Sequence, residues 1–441
     1  MSDKTHEVRD PIHVFIRLDS AERRVLNSEP YQRLRDIHQL AMTYLVYPGA
    51  THRRFEHCLG VMELAGRIYD IVTDPDRLYD DTIRKLVPKR DSLDFAYWKR
   101  VIRMAALCHD LGHLPFSHAA ELELLPEGIT HELLSLRLIQ SEYLTPIWKN
   151  LKIDADDVGK LALGPKEHPK PDSFSDWETI LAEIIVGDAF GADRMDYLLR
   201  DSYHAGVSYG RFDHYRLIDT LRILPRSEDG SKEPTLGIEQ GGLQTAEALL
   251  WARYFMYTQL YFHPVRRIYD IHLKDFLMDW LPNGHFSTEL REHLALTDNE
   301  VLAAIRKASK TPGAPGHGPA RRITCREHFR PVYERNPIDQ RRNPESVELM
   351  ERALKDNFGP AGIRRDRYAQ KSRGMSFPVF SRDGRIQNSL ALSETLQKVP
   401  VFAVDWIFVD SEIREIARQW VEENRATIIP VAESPKEISN A

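Results

Sequence analysis

A chain of 441 residues is long enough for roughly two to three domains, and 42% apolar with 29% charged residues is the balance of a water-soluble globular protein. A formal net charge of −6 argues against a surface built to coat nucleic acid, although it leaves room for a local basic pocket. No stretch is long and apolar enough to span a membrane, Met1-Ser2-Asp3-Lys4 does not open a secretory signal, and three cysteines (Cys58, Cys108, Cys325) suit neither a disulfide framework nor a zinc ribbon, so the expected location is cytoplasmic.

Residues 1 to about 12 read as polar and loosely held, and Asp10-Pro11 followed by Ile12 to Ile16 reads as a short edge strand opened by its proline. Ser20 is the expected cap of a helix from Ala21, and a second helix is expected over Tyr31 to Ile37. Pro48-Gly49 breaks the chain before an amphipathic helix from about Arg53 to Val72, where His57, Val61, Leu64 and Ile68 follow one another at spacings of four, three and four. The next helix is expected from Ser92 to Asp110, broken near Gly112 and Pro115, and Thr130 caps another with Leu133, Leu134 and Leu138 in the core. A loop is expected from Leu163 to Ser175, a helix from Trp177 to Phe190, and a further helix opening at Gly191-Ala192-Asp193.

Leu224 to Glu239 reads as a β-hairpin centred on Asp229-Gly230, and Thr245 to about Asp270 as one long buried helix. Its aromatic run, Trp251, Tyr254, Phe255, Tyr257, Tyr261 and Phe262, reads as core. The Pro/Gly stretch Thr311 to Pro319 divides a helical part, residues 1–310, from a small α+β part over 321–441, with 311–320 as linker or loop. In that last part a helix over Ser346 to Phe358, strands at Phe377 to Phe380 and Val401 to Phe408, a turn at Asp383-Gly384, and a terminal helix with Ile413, Ile416 and Trp420 on one side are expected. The fold class is therefore mainly α, with a small α+β C-terminal appendage.

The stretch Ala105 to His118 concentrates chemistry. An apolar helical run delivers His109 and Asp110 side by side, about 100° apart on a helix and able to reach one ion beside its C-terminal end. Imidazole plus carboxylate suits a hydrated divalent cation that polarises phosphate oxygens and activates water. His57 and Asp193 also lie at or beside helix ends, where they can join the same cleft. Asp196 reads as a brace for the helix bearing Asp193. The basic stretch Arg321 to Arg330 reads as a solvated face, with a nucleotide site between subunits or a nucleic-acid contact as functional alternatives.

The ordered set His57, His109-Asp110 and Asp193 resembles the signature of the HD superfamily of metal-dependent phosphohydrolases. Tyr47-Pro48-Gly49-Ala50-Thr51-His52-Arg53-Arg54-Phe55-Glu56-His57-Cys58-Leu59-Gly60 is similar to the first motif of its deoxynucleoside triphosphate (dNTP) triphosphohydrolases, which include a vertebrate enzyme with a sterile-alpha-motif domain ahead of the HD domain. Cys108 to His118, Thr130-His131-Glu132 and Asp193 to Asp201 continue the likeness in order, within an HD-type helical core over about residues 10–275 whose motifs span 39–206.

The resemblance implies one divalent metal ion held by His57, His109, Asp110 and Asp193, its identity open among Fe, Mn, Zn, Co, Ni and Mg. It implies that Arg54, His118 and His131 surround the scissile α-phosphate, and that His113, Arg194, Tyr197 and Asp201 hold the triphosphate or the sugar. Gln39 would meet the deoxyribose, with Leu40 under it, and Tyr261-Phe262-His263 resembles a further substrate segment that makes His263 a candidate. Two departures bear on specificity: Arg194 stands where the vertebrate enzyme has lysine, and Ala41-Met42 where it has glycines. The implied activity is hydrolysis of a dNTP to deoxynucleoside and inorganic triphosphate by a homo-oligomer, a dimer or tetramer, with a nucleotide effector left open. Two other readings compete: an HD phosphatase or phosphodiesterase acting on a nucleotide, and a nucleotide-sensing HD protein that barely turns over.

Overall fold

Helix ends in this chain are written by its capping residues, and those ends aim the histidines and acids. The computed structural model describes residues 5–116, 121–226, 233–369 and 376–431. Helix α1 (Arg54–Val72) begins where Glu56 Oε1 accepts from the Arg53 backbone N–H at 2.8 Å. Ser92 caps α2 (Leu93–Cys108) by accepting from Phe95 N at 3.1 Å, and Thr130 caps α3 (His131–Ile139). Helix α4 (Ala155–Glu167) runs into the first residues of the expected loop, bent at Gly164, whose φ is +71°, just ahead of Pro165; from His168 to Ser175 the chain is irregular apart from one 3-10 turn. A reciprocal Ser175–Glu178 cap opens α5 (Asp176–Val186), and α6 (Ala192–Ala205) ends on left-handed Gly206.

Helix α1 is the axis of this bundle: α2 and α6 pack along it, and α4 lies against α2, α3 and α5. Val61, Leu64 and Ile68 are fully buried, as their spacing predicts, and Cys58 and Cys108 sit among them as buried thiols. Leu133, expected in the core, is only half-buried.

From His6 the N-terminal segment is ordered in a strand pair rather than loosely held. β1 (His6–Asp10) pairs antiparallel with β2 (Val14–Leu18), so Pro11 lies in the connection rather than at a strand start. Asp19, not Ser20, caps the first short helix, Ser20–Leu26, because its carboxylate reaches Ala21 N and Glu22 N. The helix expected over Tyr31 to Ile37 is a short one, Glu29–Arg33, followed by a single 3-10 turn. β3 (Leu221–Pro225) and β4 (Pro234–Glu239) pair as expected, and the centre at Asp229-Gly230 lies outside the described residues. β4 also pairs in parallel with Pro378–Phe380, which pairs in turn with Ile386–Asn388.

That pairing shows in how the chain divides. One compact unit comprises Met1–Met256, Leu281–Ala304 and Arg373–Pro400; the other comprises Tyr257–Trp280, Ile305–Ser372 and Val401–Ala441. The stretch expected as one helix from Thr245 to Asp270 is three pieces: Leu243–Met256, a π turn over Tyr257–Tyr261, and Pro264–Trp280. Pro264 explains the last break, since it lacks an N–H and belongs at a helix start. Trp251 and Tyr254 are only half-buried and Phe255 is exposed, so that part of the aromatic run is not core.

The second unit is built on an antiparallel three-stranded sheet, Ala403–Val409 in the middle with Arg330–Glu334 and Ile363–Ala369 on its sides. Helices Ser346–Phe358 and Arg414–Ile428 bury Val347, Met350, Leu354, Ala417 and Val421 in one cluster with Ile363, Ile407 and Val409. Ile416, expected on the buried side of the last helix, is 66% exposed; the inward face runs through Ile413, Ala417, Trp420 and Val421. The Pro/Gly stretch Thr311 to Pro319 falls inside this unit and leads into helix His317–Thr324 through Gly316, which adopts φ +71°. Among the described residues no helix is long and apolar enough to cross a membrane.

Candidate functional site

The first unit brings His57, His109, Asp110 and Asp193 to one point. His57 comes from the first turns of α1, His109 and Asp110 from the turn that ends α2, and Asp193 from the first turn of α6. His57 Nε2 lies 3.0 Å from Asp193 Oδ1 and 3.9 Å from Asp110 Oδ2; His109 Nε2 lies 3.7 Å from Asp193 Oδ1 and 3.4 Å from Asp110 Oδ1. One ligand atom from each of His57, His109 and Asp110 falls within 4.8 Å of the others. Two atoms bound to one ion at about 2.1 Å can be at most about 4.2 Å apart, so this is close to a coordination shell.

The donor set has the chemistry of a metal site. His109 turns Nδ1 to the Ala106 carbonyl at 2.7 Å, which leaves Nε2 buried without a hydrogen-bond partner among the described residues. His57 likewise spends Nδ1 on a carboxylate, Asp196 Oδ2 at 2.8 Å, so its Nε2 also faces the cluster. Burial disfavours charge on Asp110 and Asp193, yet the neighbouring histidines hold both carboxyls below their usual range, Arg54 adding to the effect at Asp110. Burial also opposes charge on His57, but its hydrogen bonds to Asp193 and Asp196 prevail and push its pKa up to about 10. The proton on His57 stands in for positive charge that an ion would bring. Asp193 has the most open side chain of the four at 35% exposure.

Cationic and proton-carrying groups surround this point. Arg54, 2% exposed, donates from Nη1 to Asp110 Oδ2 at 2.5 Å, while its Nε and Nη2 have no hydrogen-bond partner among the described residues. His113 Nε2 sits 3.1 Å from Asp110 Oδ1, and its ring stacks on His131 with centroids 3.9 Å apart. Those two histidines are driven in opposite directions. Burial, then Arg54 and His131, lowers the His113 pKa; burial at His131 is overcome by Glu121, 2.6 Å from Nδ1, and by Glu132, 3.2 Å from Nε2. The His131 pKa is thereby raised while that of its stacked neighbour His113 is lowered.

The turn carrying His109 to Gly112 is locked onto α3. Gly112 N donates to Ser135 Oγ at 2.8 Å, and Ser135 Oγ donates to the His109 carbonyl at 3.0 Å. A Cβ on Gly112 would stand 2.2 Å from the His131 carbonyl oxygen, so only glycine lets the two segments approach this closely. Arg33 Nη1 holds the His113 carbonyl at 2.8 Å, and Asp298 accepts from Phe116 N at 2.7 Å, where φ is +54°.

The other expected site residues divide. Gln39 donates from its backbone to the His52 carbonyl at 3.0 Å, its buried Oε1 lacks a hydrogen-bond partner among the described residues, and neighbouring Leu40 is 7% exposed. Arg194 and Tyr197 are half-buried on α6. Asp201, read as a sugar or triphosphate contact, is 1% exposed and bonds His52 Nε2 at 2.8 Å, tying α6 to the segment before α1. His263 belongs to the second unit, where its Nδ1 accepts from Val265 N at 3.3 Å at the start of helix Pro264–Trp280. His118 lies outside the described residues.

Sequence reasoning passed over Glu121 and His13. Glu121 could have been suspected from an acid ten positions before His131; nothing local marks His13, which reaches Asp196 from 183 residues away.

Comparison with known proteins agrees with this geometry. The HD domain family matches residues 54–170, and the HD associated region matches residues 212–345. An uncharacterised protein of Methanocaldococcus jannaschii is 36% identical over 275 residues, 60% of this chain and 48% of the relative. The deoxynucleoside triphosphate triphosphohydrolase SAMHD1 of Bos taurus is 29% identical over 390 residues, 79% of this chain and 62% of the relative. The chain thus spans about half to three-fifths of the length of these relatives. A crystal structure of a hypothetical protein from Aquifex aeolicus superimposes with a TM-score of 0.76 at 33% identity, covering 94% of this chain and 99% of that one. With the His57, His109-Asp110 and Asp193 cluster seated in the HD-matching helices and α6, and an associated region following, this chain belongs to the HD-domain family.

Proposed function

We propose that this protein is a metal-dependent dNTP triphosphohydrolase that releases a deoxynucleoside and inorganic triphosphate. The observation that carries the reading is the convergence of two imidazoles and two carboxylates beside a buried arginine whose Nε and Nη2 lack partners among the described residues, with His131, its pKa raised by Glu121 and Glu132, close by. The similarity to the bovine deoxynucleoside triphosphate triphosphohydrolase supports the substrate class.

His57, His109, Asp110 and Asp193 would hold one divalent ion, which when bound polarises a phosphate oxygen and lowers the pKa of water. The chain's own groups supply the rest. Arg54 offers Nε and Nη2 to the non-bridging oxygens of the α-phosphate, while its Nη1 stays fixed to Asp110. Arg194, Tyr197 and Gln39 are the groups to orient triphosphate and sugar, with Leu40 beneath the ring. Water adds at the α-phosphorus, the bond to the 5′-oxygen breaks, and the departing oxygen takes a proton. His131 is suited to give it, because Glu121 and Glu132 raise its pKa, while burial, Arg54 and His131 itself lower that of the stacked His113. His118 is a further candidate for this role from the family resemblance. Asp201, engaged with His52, is assigned to holding α6 rather than to the sugar.

Purified protein incubated with each common dNTP and a divalent cation tests the proposal by product identity. Deoxynucleoside together with inorganic triphosphate is expected; monophosphate or pyrophosphate without triphosphate overturns it in favour of a phosphatase or phosphodiesterase.

A further inference from the structure

We infer that Asp196 is a positioning residue for the metal site, fixing the ring of His57 so that Nε2 faces the ion, and that His13 and Arg200 hold Asp196 to that task. This rests on the reading of His57 as a ligand. A brace for its own helix would need only Arg200, one turn further along α6. Instead, donors from three segments converge on this carboxylate, which is fully buried. Oδ1 accepts from His13 Nε2 at 2.7 Å and Arg200 Nη2 at 2.9 Å, while Oδ2 accepts from His57 Nδ1 at 2.8 Å and Arg200 Nε at 2.8 Å. Both oxygens are thereby spent on donors. A His57 ring with its lone pair at Nδ1 would set that lone pair against a carboxylate oxygen, so the arrangement admits only the tautomer with Nδ1–H and Nε2 available.

The surroundings fix the hub in turn. Arg200 Nη1 donates to Asp10 Oδ2 at 2.8 Å, and Asp10 Oδ1 accepts from Ile12 N and His13 N, both at 2.8 Å, shaping the connection from which His13 reaches inward. On α1, a Cβ at Gly60 would stand 1.9 Å from Asp196 Oδ1 and 2.5 Å from Arg200 Nη2. Glycine at 60, one helical turn after His57, is what gives the carboxylate room beside the ligand it orients. The N-terminal strands are by this account part of the metal site's frame.

Zinc affinity by competition with a chromophoric chelator, and the 15N spectrum of histidine-labelled protein, test the inference on wild type, His57→Ala, Asp196→Asn and His13→Leu. His57→Ala should lose zinc affinity; wild-type affinity there removes His57 from the ligand set and sinks the underlying reading, whatever Asp196 does. With His57→Ala impaired, Asp196→Asn should bind zinc about 10- to 100-fold more weakly, with a smaller loss in His13→Leu. Wild-type affinity together with an unchanged His57 signal in Asp196→Asn overturns the inference. If that variant fails to fold, the zinc-loaded wild-type spectrum decides. A protonated Nδ1 with zinc-shifted Nε2 on His57 supports the assignment, and zinc on Nδ1, or an unprotonated Nδ1, refutes it.

Discussion

The two units of this chain place their buried charges differently. In the first, Asp10, His13, Arg54, His57, His109, Asp110, Asp196 and Arg200 are all buried and meet in one connected cluster. In the second, the main cluster is apolar (Leu354, Met350, Val409, Ile407), and acidic and basic side chains lie around it, as where Arg365 is shared by Asp405, Glu348 and Glu351. Burying ions costs several kcal/mol each before pairing returns part of it, and an apolar core of equal volume is often at least as stable. The first unit's cluster, with His109 Nε2 lacking a hydrogen-bond partner among the described residues at its centre, has the donors a cation would engage. The second unit also buries charge, at Arg266, Asp270, Asp366 and Asp405, but outside its main apolar cluster.

Substituting the centre of the charged cluster should break this contrast most severely. Asp193→Asn is expected to lose bound metal and to lower turnover on the order of a thousand-fold or more, while circular dichroism stays native. Full metal occupancy in that variant would remove Asp193 from the ligands. Next come paired glycine substitutions. Gly60→Ala drives a Cβ into the Asp196–Arg200 pair and should cost at least about 3 kcal/mol in denaturant unfolding, because the buried pair must separate. Gly362→Ala in the second unit meets its nearest neighbour only at 3.7 Å and should stay within about 0.5 kcal/mol. Equal effects would mean that the cluster around Asp196 yields as readily as a surface turn.

Leu354→Ala should cost about 2–5 kcal/mol through the cavity it opens in the second unit, yet leave the metal content of the folded protein unchanged. Titration sharpens the comparison further. The folded His57 pKa lies above its ordinary value of 6.5, so its contribution is fully present below pH 6.5 and is lost as pH rises through about 10. Metal-free protein, melted in the presence of a chelator, should thus become less stable across that window, whereas zinc uptake should improve as His57 gives up its proton. A flat profile would dissociate His57 from its two carboxylates. His131 is also raised, so the falling alkaline limb of activity should lie above the ordinary histidine range; Glu121→Gln should shift it to lower pH. The smallest effect is expected on the surface of the second unit, where Arg418→Ala removes an exposed pair with Glu422 and should change stability by a few tenths of a kcal/mol.

Much of this was readable along the chain because the signals are local. Apolar spacing located α1, Ser92 and Thr130 announced their helices, and the ordered His57, His109-Asp110 and Asp193 pointed to one ion before any distance was known. Where neighbours many residues away decide, local reading failed. The N-terminal strand could not be seen from its polar residues, because β2 and Arg200 hold it. The aromatic run after Thr245 looked like one buried helix, although Pro264 divides it and Phe255 faces water.

The amino-acid sequence by itself determined which groups could chelate an ion and which helices would present them, since capping and hydrophobic spacing act over a few residues. Only the tertiary structure decided that Asp196 spends both oxygens on donors, that the His131 pKa rises while that of His113 falls, and that His263 belongs to the other unit. Those outcomes depend on burial and on partners far away in sequence, and electrostatics in a desolvated interior is set by the whole surrounding shell rather than by adjacent residues.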